Sequence, residues 1–297
     1  MKKRLITGII LMVVLIPLLV IESLLPIFQV VAFGFVGVGA FEMIRLFEYQ
    51  KKLPIAVKVV IVLSSLLTYL GATMICQLFE SINNVFIFDI KIGFALIIIS
   101  IVMQLSLLVF SKTFDAIDLG KTIATSFYVG LGVASLMVLR LIGVHLVVYL
   151  FLITILTDVF AYVFGMLFGK NKMIERISPK KTWEGAIGGT IVATIAASMF
   201  ALFYGNLFGM SGVLTIFDGF INVSDFNPIV LCILIFFVTL LTSIAGQIGD
   251  LVASRLKRTF DVKDFSNIFP GHGGFLDRFD SSIVAAMVLL SLFLFLI

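Results

Sequence analysis

Charge is scarce in this 297-residue sequence. Asp, Glu, Lys and Arg make up 13% of it, against 61% hydrophobic residues, and the mean hydropathy is +1.22. A soluble domain of this length needs far more polar surface, so that class is excluded. Alternation of polar and apolar residues is also missing, which excludes a transmembrane barrel. There are two cysteines, Cys76 and Cys232, both in apolar segments, giving neither a disulfide framework nor metal-ligand spacing. No Gly-x-Ser-x-Gly elbow accompanies the Gly271-His272-Gly273-Gly274 run, which removes a lipase-like reading. No P-loop is present either: "GMLFGKN" at 165–171 has the wrong gap and no hydroxyl residue after Lys170. "GVGAFE" at 37–42 follows no strand and is no dinucleotide fingerprint. The first residues, "MKKRLITGIILMVVLIPLLVIES", lack a clear small-x-small cleavage site and are expected to form a retained first helix.

What remains is a series of long apolar runs, each near the ~20 residues that span a bilayer. We expect an all-α, polytopic membrane protein with about nine transmembrane helices, at roughly 5–21, 26–46, 55–78, 92–111, 122–143, 146–168, 185–207, 228–253 and 279–297. With the N-terminus inside and the C-terminus outside, 19 of the 21 Lys and Arg residues fall on the cytoplasmic side, leaving only Lys91 and Arg140 opposite. This asymmetry accounts for the net charge of +4 without a nucleic-acid partner. No internal repeat or separate soluble domain is visible. The chain reads as N-terminal helices over 1–144 and C-terminal helices over 145–297 that carry a site facing the cytoplasm.

The charges left over concentrate in two expected loops, 169–184 and 254–278. Acids at the membrane are costly and therefore functional candidates. Asp250 closes "SIAGQIGD", with Ser254 four residues on along the same helical face. Asp277 and Asp280, three apart, open the last helix. Carboxylates beside a phosphorylated substrate are how proteins hold Mg²⁺. Equally, Asp277 and Asp280 would serve as helix caps that interact well with the dipole; Asp250, near a helix C-terminus, fits that alternative poorly. Lys257, Arg258, Lys263 and Arg278 surround the acids, and Gly273 and Gly274 let backbone N–H groups approach. Together they suit a metal-bound polyphosphate, although each cation alone also suits the positive-inside pattern. "ISPKKTWEG" adds Ser178, Lys180, Lys181 and the single tryptophan, Trp183, either an interface anchor or a base-stacking platform. Asp158 lies inside a span, as a site acid or as a helix-packing polar group.

The pattern Ser-x-Leu-Lys-Arg, four residues, Lys-Asp, then Pro-Gly-His-Gly-Gly-Phe-Leu-Asp-Arg-Phe-Asp, over 254–280, resembles the signature of phosphatidate cytidylyltransferases. "GKNKMIERISPKKTWEG" at 169–185, with Asp158 upstream, is similar to the same family's second block. The resemblance implies transfer of the cytidylyl group of CTP to phosphatidate at the cytoplasmic face of the cell membrane. The products would be CDP-diacylglycerol and pyrophosphate, for phospholipid biosynthesis. It implies Mg²⁺, with a second cation left open. Asp250 and Asp277 become the first-choice metal ligands, and Asp280 and Asp264 the second choices. Lys180, Lys181, Arg258, Lys263 and Arg278 become candidates for triphosphate or lipid phosphate, and His272 would orient a phosphate or simply fill a tight turn. The partners implied are the two substrates and the bilayer; a homodimer is left open. The rival readings are a CTP-dependent kinase of lipid alcohols and, less well matched, an anionic-substrate transporter, which would need charges at the bilayer midplane.

Overall fold

A computed structural model describes residues 13–78, 89–209, 215–218, 227–269, 271 and 273–296. Among these, eight helices are long and apolar enough to cross a membrane: Glu22–Phe47, Ile55–Leu78, Ile90–Phe110, Ala116–Ile142, Val144–Phe168, Trp183–Leu202, Pro228–Thr259 and Leu276–Leu296. They match the last eight expected spans, so the protein is all-α and polytopic. Of the first expected span, 5–21, residues 5–12 lie outside the described residues, and the backbone at 13–20 is helical. The chain forms two compact units, residues 1–141 with 256–279, and residues 142–255 with 280–297.

The first unit contains α1 (Leu25–Phe47), α2 (Ile55–Thr73) and α3 (Ile90–Phe110). They are followed by α4 (Ala116–Thr125), a π-helical stretch Ser126–Leu131, and α5 (Gly132–Ile142). Small residues set the close contacts: a Cβ on Gly93 would stand 2.7 Å from the Gly71 carbonyl oxygen, and one on Gly130 would stand 2.6 Å from that of Ser65. Such small-residue seams let helix backbones approach in a bilayer, where lipid supplies no hydrophobic drive for association. Helix α4 begins at 116 rather than at the expected 122. The Asp115 carboxylate accepts from the N–H groups of Ile117 and Asp118, and Asp118 returns the bond, forming a capping box. Lys121 is therefore helical. Lys51 bonds both Asp115, at 3.0 Å, and Asp118, and the Asp118 bond, more than any other cause, raises the pKa of that ammonium.

The second unit contains α6 (Val144–Phe168), α7 (Trp183–Leu202), most of α8 (Pro228–Thr259) and most of α9 (Leu276–Leu296). Between α6 and α7 the expected loop is an antiparallel hairpin, β1 (Lys172–Ile174) with β2 (Ser178–Thr182), pairing Lys172 with Thr182 and Ile174 with Ser178. Pro179 sits within β2, tolerated there because a two-stranded ribbon has only edges. Thr182 caps α7 by accepting from the Gly185 N–H. Gly185 and Gly189 then press against α6; a Cβ on either would collide with the carbonyl oxygens of Ala161 or Thr157. Buried hydroxyl pairs lie between the helices, Thr157 with Ser243 at 2.7 Å and Ser198 with Thr239 at 2.9 Å.

Helix α8 runs to Thr259, six residues past the expected end at 253. Ser254, Arg255, Lys257 and Arg258 are therefore helical rather than in a loop. The helix ends because Asp261 turns left-handed at φ 55°. The Val262 N–H then bonds the Lys257 carbonyl and the Asp261 N–H bonds that of Arg258, the paired 6→1 and 5→2 bonds of a Schellman cap. The Arg258 guanidinium also donates to the Val262 carbonyl at 3.2 Å.

Candidate active site

In the second unit, the α6–α7 seam and the hairpin bring three candidates together. Lys181, near the end of β2, forms an ion pair with Asp250 of α8; both side chains are 28% exposed. Asp158 of α6 is close enough to interact electrostatically with both. The Ser254 hydroxyl lies 3.5 Å from Asp250. Asp158, Lys180, Lys181, Thr182, Tyr162 and Gln247 line one cavity of about 190 Å³. The hairpin base is tied to α7 by Asn171, whose amide groups donate to the Glu184 carboxylate and whose carbonyl accepts from the Trp183 N–H. Ser178 begins β2, and Lys180 is exposed beside the cavity. Gln247 donates to the Ala186 carbonyl at 3.0 Å and the Thr190 hydroxyl at 2.7 Å. Gln247 and Ala186 also border a second, apolar groove of about 370 Å³ lined by Met173, Trp183, Ile187, Ile191, Ile244 and Leu251. Trp183, half exposed, thus faces this apolar groove.

Gly249 is the close-contact point between α8 and α9, since a Cβ there would stand 2.6 Å from the Asp280 carbonyl oxygen. That approach places the Asp280 backbone one residue from Asp250. The Asp280 carboxylate itself accepts from the Ser281 N–H at 2.8 Å.

The first unit arranges the signature segment differently. Asp277, in the first turn of α9, has a side chain only 4% exposed. Its Oδ1 accepts from Lys257 at 2.7 Å; its Oδ2 accepts from the N–H groups of Phe265 at 2.8 Å and Gly274 at 2.9 Å. Lys257, which i,i+4 spacing would offer to Asp261, turns to Asp277 instead. Gly273 adopts φ 82°, and a Cβ there would stand 2.9 Å from Asp277 Oδ2, so the turn needs glycine twice over. Arg258, Lys263, Asp264 and Arg278 are exposed around this segment. His272 lies outside the described residues. Among the described residues, no group of three or more His, Cys, Asp or Glu side chains is placed to hold a metal ion.

One polar residue of the segment's surroundings went unnoticed in the sequence. Glu42, in α1, is fully buried. Its Oε1 accepts from the Ser266 hydroxyl and from the Phe275 N–H at 2.8 Å, and its Oε2 accepts from the Leu276 N–H at 2.9 Å. The available signal was a single acid in an otherwise apolar span, the same criterion that singled out Asp158 and Asp250.

The cytidylyltransferase family model matches residues 2–296. The phosphatidate cytidylyltransferases of Staphylococcus haemolyticus and Staphylococcus aureus are each 42% identical over 178 residues, and that of Staphylococcus saprophyticus is 40% identical over 178. Each match spans 60% of this chain and 60% of the relative's length. With a match running through both units, the chain belongs to the cytidylyltransferase family.

Proposed function

We propose that this protein transfers the cytidylyl group of CTP to phosphatidate, releasing pyrophosphate and leaving CDP-diacylglycerol in the membrane. The observation that carries the reading is the cavity of the second unit, where Lys180, Lys181, Asp158 and the Lys181–Asp250 pair meet. At about 190 Å³ it is smaller than the ~300 Å³ at which pockets hold whole ligands, and it suits phosphate groups better than an entire nucleotide. The apolar groove that shares Gln247 and Ala186 with it suits an acyl chain. We place the cavity at the cytoplasmic face of the cell membrane, where the positive-inside asymmetry puts the lysine-rich hairpin and where CTP is available.

In the step itself, an ionised phosphatidate oxygen attacks the α-phosphorus of CTP, and the bond from that phosphorus to the bridging oxygen of the leaving pyrophosphate breaks. The nucleophile already carries its charge at pH 7, so no strong base is required. The protein's part is positioning and neutralisation of phosphate charge. Lys180 and Lys181 hold phosphate oxygens as cationic donors, with Ser178 and Ser254 as neutral donors. Arg258, Lys263 and Arg278 are exposed cations suited to a second phosphate group, and His272 to orienting one.

Magnesium fits the donor set. It is held through one or two carboxylates completed by water and substrate phosphates, and Asp250 with Asp158 offers two oxygens-only ligands in one place. Asp277 accepts three hydrogen bonds of the roughly four a carboxylate can take, leaving room for one ligand bond. Bound there, the ion would neutralise charge on the triphosphate and on departing pyrophosphate. Asp264 and Asp280 are the reserve ligands.

The test is purified protein in detergent with phosphatidate, Mg²⁺ and CTP labelled on either the α- or the γ-phosphate. Label from the α-phosphate alone should enter lipid, and a chelator should stop it. Label from the γ-phosphate alone would make the protein a lipid kinase, and product unaffected by chelator would overturn the metal assignment.

A further inference from the structure

The hydrogen bonds of Glu42 fall on the two ends of the signature loop. Ser266 lies just after its Lys263-Asp264 pair; Phe275 and Leu276 lie just after its glycines, where α9 begins. The first N–H groups of a helix have no partner within the helix. Here two of the groups at the α9 start are satisfied by an acid from another helix. Asp277 meanwhile accepts from Phe265 and Gly274, the immediate neighbours of Ser266 and Phe275. The loop is thus held twice: by Asp277 from its own helix and by Glu42 from α1. The fit is tight, because a Cβ on Gly274 would collide with the Glu42 carboxylate. A packing role would be met by an apolar residue; a buried carboxylate taking a hydroxyl and two amides is costly unless that arrangement itself is what is needed.

We propose that Glu42 is a positioning residue for the reaction. By fixing Ser266 and Phe275 at one carboxylate, it sets where the chain presents Lys263 and Asp264, just before Ser266, and Gly273 and Gly274, just before Phe275. The role rests on the cytidylyltransferase reading above, and it gives the N-terminal helices a part in the site. Glu42→Gln is the informative change. The amide keeps the size and one acceptor, but its NH₂ must face either the Leu276 N–H or the Phe275 N–H and Ser266 hydroxyl.

The full chain in detergent is measured in two ways. Hydrogen exchange is followed on the peptide containing Phe275 and Leu276. Turnover is followed with phosphatidate, CTP and Mg²⁺. In Glu42→Gln, exchange at 275–276 should speed up at least ~10-fold while α2 and α3 peptides keep wild-type rates. The kcat should fall by about 10-fold, as for other residues that orient a site without touching substrate, with KM for phosphatidate within about twofold. Ser266→Ala removes one of the three bonds and should give the same pattern more weakly, which keeps the test alive if Glu42→Gln does not fold. Unchanged kcat in a folded variant whose loop exchanges faster would overturn the positioning role. Faster exchange throughout the unit would also overturn it, since Glu42 would then be supporting the fold at large. Wild-type protein that makes no CDP-lipid would instead sink the reaction reading, and the catalytic role with it; the exchange result would still report on the loop.

Discussion

Asp250 and Asp277 look alike in the sequence: both are acids where an apolar run meets a polar segment. Their surroundings differ. Asp250 meets one lysine at the wall of an open cavity, with both partners 28% exposed. Asp277 is 4% exposed, its lysine is 12% exposed, and two backbone N–H groups complete its set. The first carboxylate is a group the solvent side can reach; the second is also a bolt in the loop that surrounds it. The same residue type thus stands partly exposed in one unit and is built into the architecture of a loop in the other.

Removing charge at each position sharpens that contrast. Asp277→Asn should have the largest effect. The amide must turn its NH₂ toward either the Lys257 ammonium or the Phe265 and Gly274 donors, and it leaves Lys257 without its counter-charge. Breaking a pair this buried costs about 3 kcal/mol. We expect a clear fall in thermal midpoint in detergent together with at least ~10²-fold lower kcat, the scale for one preorganised charged group. A wild-type midpoint would show that the hydrogen bonds of Asp277 are incidental to stability.

Asp250→Asn should match that kcat loss and leave stability alone. Its exposed pair with Lys181 is worth no more than about 1 kcal/mol. Chelator titration should show a raised Mg²⁺ requirement. Near-normal turnover with unchanged metal dependence would remove Asp250 from the metal site. Asp280→Asn should cost less, about 10-fold in kcat, because its carboxylate is already engaged by its own helix turn at Ser281. Loss as deep as that of Asp250→Asn would make Asp280 a direct ligand.

The sequence was most legible where one physical rule acts alone. Apolar length placed eight spans, and the cost of an acid inside a span or at its end singled out Asp158, Asp250 and Asp277 as candidates. It was least legible where two rules compete. The apolar run of α8 ends near 253, yet the helix continues to Thr259 because backbone hydrogen bonding stops only at a cap. That cap is Asp261 in a left-handed conformation, a position where glycine would have been the readable signal. The hairpin at 172–182 was hidden for the opposite reason, since its strands are short, polar and broken by Pro179. The pairing of Lys181 with Asp250 and of Lys257 with Asp277 depends on chain reversals of 20 residues or more, which no local spacing encodes. Glu42 carried a local signal, but its partners lie more than 220 residues away.

The smallest effect separates the two glycines that precede Asp250. Gly249 faces the Asp280 carbonyl oxygen, with 2.6 Å available to a Cβ, and Val284 at 3.0 Å. Gly246, one turn earlier, would place its Cβ 3.5 Å from Thr154 and 3.8 Å from Ala285, ordinary contact distances. Gly249→Ala must push α9 away, at about 1–3 kcal/mol for an overpacked contact. It should lower turnover as well as stability, because the shifted turn adjoins Asp250. Gly246→Ala has room, and alanine is the better helix former by up to about 1 kcal/mol; the thermal midpoint should hold or rise slightly and turnover should stay within about twofold. The pair is read together in one detergent series. Equal losses for both would mean that the α8–α9 contact is not set at Gly249, and that the Asp250 environment owes nothing to that close approach.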